Sequence, residues 1–414
     1  MFEKIFKNRY RIQALRNSQG RDLLEIFANA LFHAGYKVRT AQRYIRVAEH
    51  FIYWSFEEGI NASNFTEGLV ERFYCHLNKC KCPDYEHSQS HDLLCGVRLF
   101  LKHMKDAGKA SQPDQPDAED PVLLTGFYHW MRKNRGTSDI TLDNYSRVIR
   151  PFLKRFGDNP GQFDAKSLRQ FVLEKGQQSG GSAAKNCTAS LRMFIRFLIA
   201  EGRCSADLLG AIPTLAYWRL SSLPRYLQEE EVEKIISSCD TRTKIGKRNR
   251  AILLLLARLG LRAGDIVKLR LGDIDWKEAT VQVAGKGRRA VRLPLTKEVG
   301  LAIVDYLTNG RPPLDTDVVF VRLRAPLRAF ASHTAISVIV ARAMRRAGVA
   351  CKGQGAAHIL RHSAATSMLR NGATLQDIAD ILRHRSIETT QIYAKVDVTT
   401  LRKIAQPWPE VHPC

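Results

Sequence analysis

The chain has 414 residues, 44% of them hydrophobic, enough material for two or three packed domains rather than one. Its 64 lysines and arginines against 41 acidic residues leave a formal charge of +23, which favours a polyanionic partner and says nothing about fold. No stretch approaches the ~20 apolar residues of a membrane span, and Met1 to Arg16 is charged throughout where an exported chain would carry an apolar core.

The first block, residues 1–108, reads as a helical module. Gly35 to Gly59 is a turn, a basic amphipathic helix carrying Tyr44, Phe51 and Trp54, and a glycine stop. Phe65 and a short helix follow, and the block closes on an aromatic helix, Val97 to Met104, ending at Gly108. Cys75, His76, Cys80, Cys82, His87, His91 and Cys95 crowd into this block. Thiolates with an imidazole suit tetrahedral zinc, but the spacing matches no standard pair of knuckles. The expectation is therefore free thiols and no metal, with structural zinc as the alternative. Nine cysteines, an odd number, without an export signal fit reduced thiols in a cytoplasm, near the nucleoid if the partner is DNA.

Residues 109–120 read as a linker, since Lys109 to Pro121 holds three prolines and four acidic residues. The block 121–205 then repeats the first one. Gly136 to Gly157 frames a helix with Tyr145, Phe152 and Phe156, Phe163 answers Phe65, and the aromatic helix Leu191 to Leu198 ends at Gly202. A duplicated small helical domain is the reading. Arg132, Lys133, Arg147, Lys185 and Arg192 are its candidate phosphate contacts. Residues 206–225 form a second linker, leading into a helix that opens on Glu229 to Glu231, where negative charge suits the positive end of the helix dipole.

The last folded region, 226–400, mixes periods. Ala251 to Ala257 is a greasy run ended by Arg258, a buried helix. A turn with Arg262 follows Gly260. Ile274 to Trp276, Thr280 to Val283 and Ala290 to Leu293 read as strands, with Val281, Val283, Val291 and Leu293 on one face. Gly285-Lys286-Gly287 lies at the hairpin tip, with Arg288 and Arg289 beside it. From His333 onward the period is helical, and residues 401–414 are a tail. The fold class is mainly α with a small antiparallel β-sheet.

Certain side chains here have the chemistry of metal-free phosphodiester cleavage, which needs a nucleophile, a proton donor for the leaving oxygen and cations around the phosphate. Arg262 offers a planar fork for two phosphate oxygens, with Asp265 three residues on. Lys286 has a tunable pKa for proton donation. His358 and Arg361 stand three apart on one helix face, with His362 behind them and small residues from Ser363 to Met368 before the stop at Asn371-Gly372. His384 sits at a helix end before the capping Ser386, and Tyr393 follows within Thr389-Thr390-Gln391-Ile392-Tyr393. No glycine-rich phosphate loop or acidic metal cluster is visible, so nucleotide hydrolysis and metal-dependent nuclease chemistry lack recognisable machinery in the sequence.

The order Arg262, Lys286, His358, Arg361, His384, Tyr393, each in its local context, resembles the active site of the tyrosine recombinases, the phage-integrase family. The resemblance implies two N-terminal helical DNA-binding bundles, the second a SAM-like core-binding domain, ahead of the catalytic domain. It implies Tyr393 as nucleophile, Lys286 as general acid, Arg262, Arg361 and His384 around the phosphate, His358 as base or positioning group, and Asp265 as a supporting carboxylate. Arg288 and Arg289 are further DNA contacts. No cofactor is expected, and double-stranded DNA is the expected partner, bound by a homotetramer on paired sites. A mobile-element recombinase acting in integration, excision or transposition fits the extra N-terminal module. Arg383 stands where members of the family often have glycine, a change that bears on the local turn and adds a candidate phosphate contact. A type IB topoisomerase and a non-catalytic DNA-binding accessory factor are the alternatives.

Overall fold

The structure is a computed structural model that describes residues 1–83, 85, 91–110, 120–214, 224–284, 290–350, 355–384 and 386–396. The sequence-predicted linker cores, the hairpin tip with Lys286, Arg288 and Arg289, and the tail 401–414 lie outside the described residues. The chain divides into two compact units, Met1–Ala110 with Leu220–Cys414, and Ser111–Arg219. Among the described residues no helix is long and apolar enough to cross a membrane.

Among the described residues helices dominate both units, and one sheet has three strands. In the N-terminal block the helices are Arg21–His33, Val38–Glu57, Glu67–Leu77 and His91–Asp106, preceded by two shorter ones before Gly20. The charged opening still contributes to the core, because Phe2, Ile5 and Phe6 are buried while the charges between them face out. Phe27, Phe51, Phe65, Phe73 and Phe100 close the centre of this bundle, all fully buried. In the second unit Val122–Arg135, Asp139–Phe156, Ala165–Ser179 and Gly181–Ala200 run in the same order, with a 3₁₀ turn again between the second and third helix.

Ring contacts also run in parallel between the two blocks. Phe51 meets Phe65 at 5.1 Å and Phe73 at 5.3 Å; Phe152 meets Phe163 at 5.1 Å and Phe171 at 5.4 Å. Phe27 meets Phe100 edge-on at 5.3 Å, as Phe127 meets Phe194 at 5.7 Å. Edge-to-face aromatic packing of this kind is favourable beyond the area it buries.

The C-terminal region is built on helix Lys244–Ala257, whose residues 251–257 are all buried. Strands β1 (Ile274–Asp275), β2 (Thr280–Ala284) and β3 (Ala290–Pro294) form an antiparallel sheet in the order β1-β2-β3. Val281 pairs with Leu293 and Val283 with Val291, the apolar face expected from alternation. Helices Lys297–Asn309, Thr334–Arg346, Ala356–Arg370 and Leu375–Leu382 complete the region, followed by 3₁₀ turns Ile387–Thr389 and Gln391–Val396. The small residues Ser363 to Thr366 are buried, so their helix can approach its neighbours closely, and the Leu227 N–H donates to the Ser363 hydroxyl at 2.8 Å. Residues 1–110 also touch this region. Leu327 N–H donates to the Ala34 carbonyl at 3.0 Å, and Gly35, at φ +74°, would set a Cβ only 2.5 Å from the Leu327 side chain.

Candidate active site

The site forms where four pieces of the C-terminal region meet: the turn after Gly260, helix Ala356–Arg370, the end of helix Leu375–Leu382, and the 3₁₀ segment with Tyr393. Arg361 is at its centre and is buried. Its guanidinium donates to the backbone carbonyls of Gly260 and Leu382, tying two loops to one side chain. Burial and the neighbouring Arg262 charge pull its pKa down to about 10, so at neutral pH it stays charged. Gly260 has φ +57°, and a Cβ there would stand 2.6 Å from Leu382 Cδ2, so the close approach that gives Arg361 both carbonyls requires glycine.

Arg262 precedes helix Ala263–Lys268 and donates from Nη2 to the Arg383 carbonyl at 2.9 Å. Desolvation, then the adjacent Arg383, lowers its pKa. Among the described residues both guanidiniums hydrogen-bond to backbone oxygens and to no carboxylate, an arrangement that leaves their positive charge for an anion.

Asp265 was expected to steady Arg262. It accepts the Arg262 backbone N–H at 3.3 Å, while its closest charged partner is Arg383, at 2.6 Å. Arg383 is the residue for which a phosphate contact was the sequence expectation. Its side chain is 3% exposed and turned inward to that carboxylate, because the residue closes its helix in the left-handed conformation at φ +54°. The turn that glycine would make is kept, and the side chain becomes an internal strut.

Arg383→Ala keeps the left-handed strain and removes the strut, leaving Asp265 poorly matched in a mostly buried place. The expected loss is about 2–3 kcal/mol, below the full cost for a broken buried pair because Asp265 retains some water contact. Arg383→Gly should recover about 1 kcal/mol of it by relieving the backbone. Chemical denaturation of the full chain checks both the loss and the order; an alanine variant as stable as the parent would remove the strut.

The histidines differ in setting. His358 lies on an exposed part of its helix, and partial desolvation with the Arg361, His333 and Arg262 charges lowers its pKa. His362, one helical turn on, has its Nδ1 2.8 Å from the Tyr393 hydroxyl. His384 Nδ1 shares a 2.7 Å hydrogen bond with the Thr390 hydroxyl, itself fully buried. Burial, reinforced by nearby positive charge, pushes both His362 and His384 down to about 4, so both rings are neutral at pH 7.

Tyr393 is 1% exposed and packs with Ala365, Ile378 and Leu382. Desolvation pushes its phenol up to about 12, against the opposing pull of Arg361. Of the six residues singled out in sequence, the structure thus brings together Arg262, His358, Arg361, His384 and Tyr393; Lys286 lies outside the described residues. His362, given no role from sequence, holds the tyrosine hydroxyl. Its position four residues after His358, on the same helix face, was the available signal.

In the second unit the candidate phosphate contacts separate. Arg132 pairs with Asp139 at 2.9 Å at the surface, and Lys133, Arg147 and Lys185 are exposed. Arg192 instead donates to the Ile212 carbonyl at 3.1 Å and the Thr214 hydroxyl at 2.8 Å, which anchors the chain as it leaves the bundle.

Known proteins resemble this chain in sequence and in fold. Residues 225–399 match the phage integrase family, and residues 124–202 match the phage integrase N-terminal SAM-like domain. A Sinorhizobium fredii protein named an integrase/recombinase, y4rA, is 35% identical over 92% of this chain and 93% of its own length. Tyrosine recombinase XerD of Listeria monocytogenes is 30% identical over 70% of this chain and 98% of its own. Among solved structures, XerH site-specific recombinase bound to a palindromic difH substrate superposes with a TM-score of 0.56 at 22% identity, over 84% of this chain and 98% of that one. A lambda integrase dimer bound to a COC′ core site gives 0.52 at 19%, over 70% and 98%. These matches define the class, enzymes that recombine DNA at specific sites. The chain belongs to the phage integrase family and is a tyrosine-type site-specific DNA recombinase.

Proposed function

We propose that this recombinase cuts and rejoins double-stranded DNA through a 3′-phosphotyrosine formed by Tyr393, in the integration, excision or transposition of a mobile element. The observation that carries the reading is the tyrosine hydroxyl held 2.8 Å from the neutral ring of His362 in the pocket that gathers Arg262, Arg361 and His384. Tyr393 attacks the phosphorus, the 5′ oxygen leaves with a proton from Lys286, and a 5′ hydroxyl from another strand reverses the step. The phosphotyrosine conserves the bond energy, so no nucleotide is consumed. Arg262, Arg361 and His384 carry the charge that builds on the non-bridging oxygens, and His358 acts as base or positioning group at the pocket edge.

His362 positions the phenol through the 2.8 Å hydrogen bond to its hydroxyl. A ring as enclosed as that of Tyr393 reaches a phosphate only when the segment Gln391–Val396 shifts, and bound DNA supplies that shift. Asp265 acts through Arg383 and the Arg262 backbone. The helical blocks 1–108 and 121–205 clamp the duplex, with Arg132, Lys133, Arg147 and Lys185 on phosphates in the second; Arg192 serves that bundle's geometry instead. Arg288 and Arg289 flank Lys286 as further DNA contacts. Four copies act on two paired sites, passing the tail 401–414 to a neighbour.

The test uses duplexes drawn from inverted repeats beside the gene, nicked near the expected cleavage point so that the cut end diffuses away. Wild-type protein should be trapped on the 3′ end of the broken strand with a free 5′ hydroxyl. A 5′ linkage, or double-strand cleavage with no adduct, would sink the proposal, and relaxation of any supercoiled plasmid by monomers would favour the topoisomerase reading.

Binding should also be steeply salt-dependent, because a net charge of +23 implies many neutralised phosphates and many released counterions. With six or more phosphates contacted, affinity falls roughly 10³-fold between about 50 and 200 mM salt, linearly on logarithmic axes. A flat response measured by fluorescence anisotropy would remove the electrostatic basis of the DNA reading.

A further inference from the structure

The recombinase chemistry makes no use of a second cluster of reactive side chains, in the N-terminal block. His50 comes from the long helix Val38–Glu57, His76 from the end of helix Glu67–Leu77, and Cys80 and Cys82 from the turn that follows. One ligand atom from each lies within 4.8 Å of every other. Cys80 Sγ is 3.3 Å from His50 Nε2, and Cys82 Sγ is 3.4 Å from His76 Nε2. Zinc bonds of ordinary length to sulfur and nitrogen at tetrahedral angles would set such edges at about 3.4–3.8 Å.

The two observed edges are close to that geometry, and the remaining ones close by small side-chain adjustments. Both imidazoles also present the same nitrogen toward the sulfurs. From these contacts we infer that His50, His76, Cys80 and Cys82 bind one structural zinc ion that staples the loop after Leu77 to helix Val38–Glu57.

Several features separate this cluster from chance proximity. His50 is 3% exposed, and its ring is held by a stack on Tyr85 at 4.4 Å and an edge contact with Phe73 at 5.1 Å. The His76 ring stacks on Trp54 at 5.3 Å. Aromatic walls fix both ring planes, the role that supporting contacts play around a metal. The Cys82 N–H donates to Cys80 Sγ at 3.3 Å, which holds the two sulfurs of the turn on one side. Two thiolates cancel the charge of the dication in this apolar setting. Two sulfurs and two nitrogens in a tetrahedron select zinc over the harder divalent ions, and four protein ligands close the shell, so the site is structural.

The sequence expectation of free thiols without metal rested on spacing among neighbours in the chain. The fourth ligand comes from 26 residues before His76, beyond any local motif, while Cys75 is exposed and stands outside the group. His87 and the side chain of His91 lie outside the described residues.

The experiment measures metal in the full chain purified without chelator. The expected result is about one zinc per chain by mass spectrometry, a closed four-ligand site. Content should be near zero in Cys80→Ser, Cys82→Ser and His50→Ala and unchanged in Cys75→Ser. In case those variants fold poorly, cobalt(II) is exchanged into the wild-type protein. It should give the visible absorption of a tetrahedral ion together with a thiolate-to-metal charge-transfer band, and stripping the metal should lower the thermal midpoint. Wild-type protein that carries no zinc and takes up neither zinc nor cobalt would overturn the inference. So would zinc retained by both cysteine variants, or a cobalt spectrum that is octahedral and lacks the thiolate band.

Discussion

Tyr393→Phe should form no covalent adduct with DNA while binding it nearly as well as the parent protein. The substitution removes one oxygen from a side chain whose ring is 1% exposed and packed on Ala365, Ile378 and Leu382. That packing survives. What is lost is the hydrogen bond to His362 Nδ1, worth about 1 kcal/mol to the fold. DNA affinity comes from cations spread over the chain, and the phenolic oxygen contributes to bond making rather than to ground-state binding. The two effects should therefore separate by orders of magnitude. On the nicked duplex, wild type gives a slow-migrating band on a denaturing gel and Tyr393→Phe gives none, while their anisotropy titrations nearly superpose. An adduct of equal yield from the variant would rule out Tyr393 as the nucleophile; a collapse of binding would show that the hydroxyl holds the site's shape instead.

Much of this site was readable because its residues fall on local signals. His358 and Arg361 share a helix face by spacing alone, Arg262 follows the glycine that ends a greasy helix, and Tyr393 follows His384 at a short interval. The sheet followed from alternation, and its register pairs the predicted faces. What sequence could not supply were contacts between distant segments. Arg383 seemed free to reach a phosphate, yet it meets Asp265, 118 residues earlier, because a left-handed helix end aims it inward. His50 joins Cys80 across 30 residues by the packing of two helices, which no periodicity encodes. The packing of the N-terminal block on Leu327 was equally invisible, since it depends on a glycine meeting a leucine 292 residues away. Of the aromatic residues paired between the two helical blocks, Phe65 and Phe163 each directly follow a short 3₁₀ turn, whereas Phe51 and Phe152 lie six and four residues before the ends of their helices.

Arg361→Ala should cost roughly 10³-fold in strand cleavage, at the upper end of what removing one charge-stabilising group does. The guanidinium belongs to a buried residue, and it also fastens the Gly260 and Leu382 carbonyls. Part of the loss is therefore structural. Arg361→Lys restores a charge but not the planar fork, and should recover only a small part of the rate.

A second substrate distinguishes charge stabilisation from proton transfer. With sulfur in place of the bridging 5′ oxygen, the leaving group departs without an acid. Lys286→Ala, expected to slow cleavage of ordinary DNA by ~10²-fold, should then cut almost as fast as wild type. Arg361→Ala should stay slow on both substrates, because the charge it holds develops on the non-bridging oxygens in either case. Single-turnover rates on the paired substrates give the answer. Rescue of Arg361→Ala by sulfur would move that residue to the leaving-group side of the reaction, and failure to rescue Lys286→Ala would reduce the lysine to a positional role.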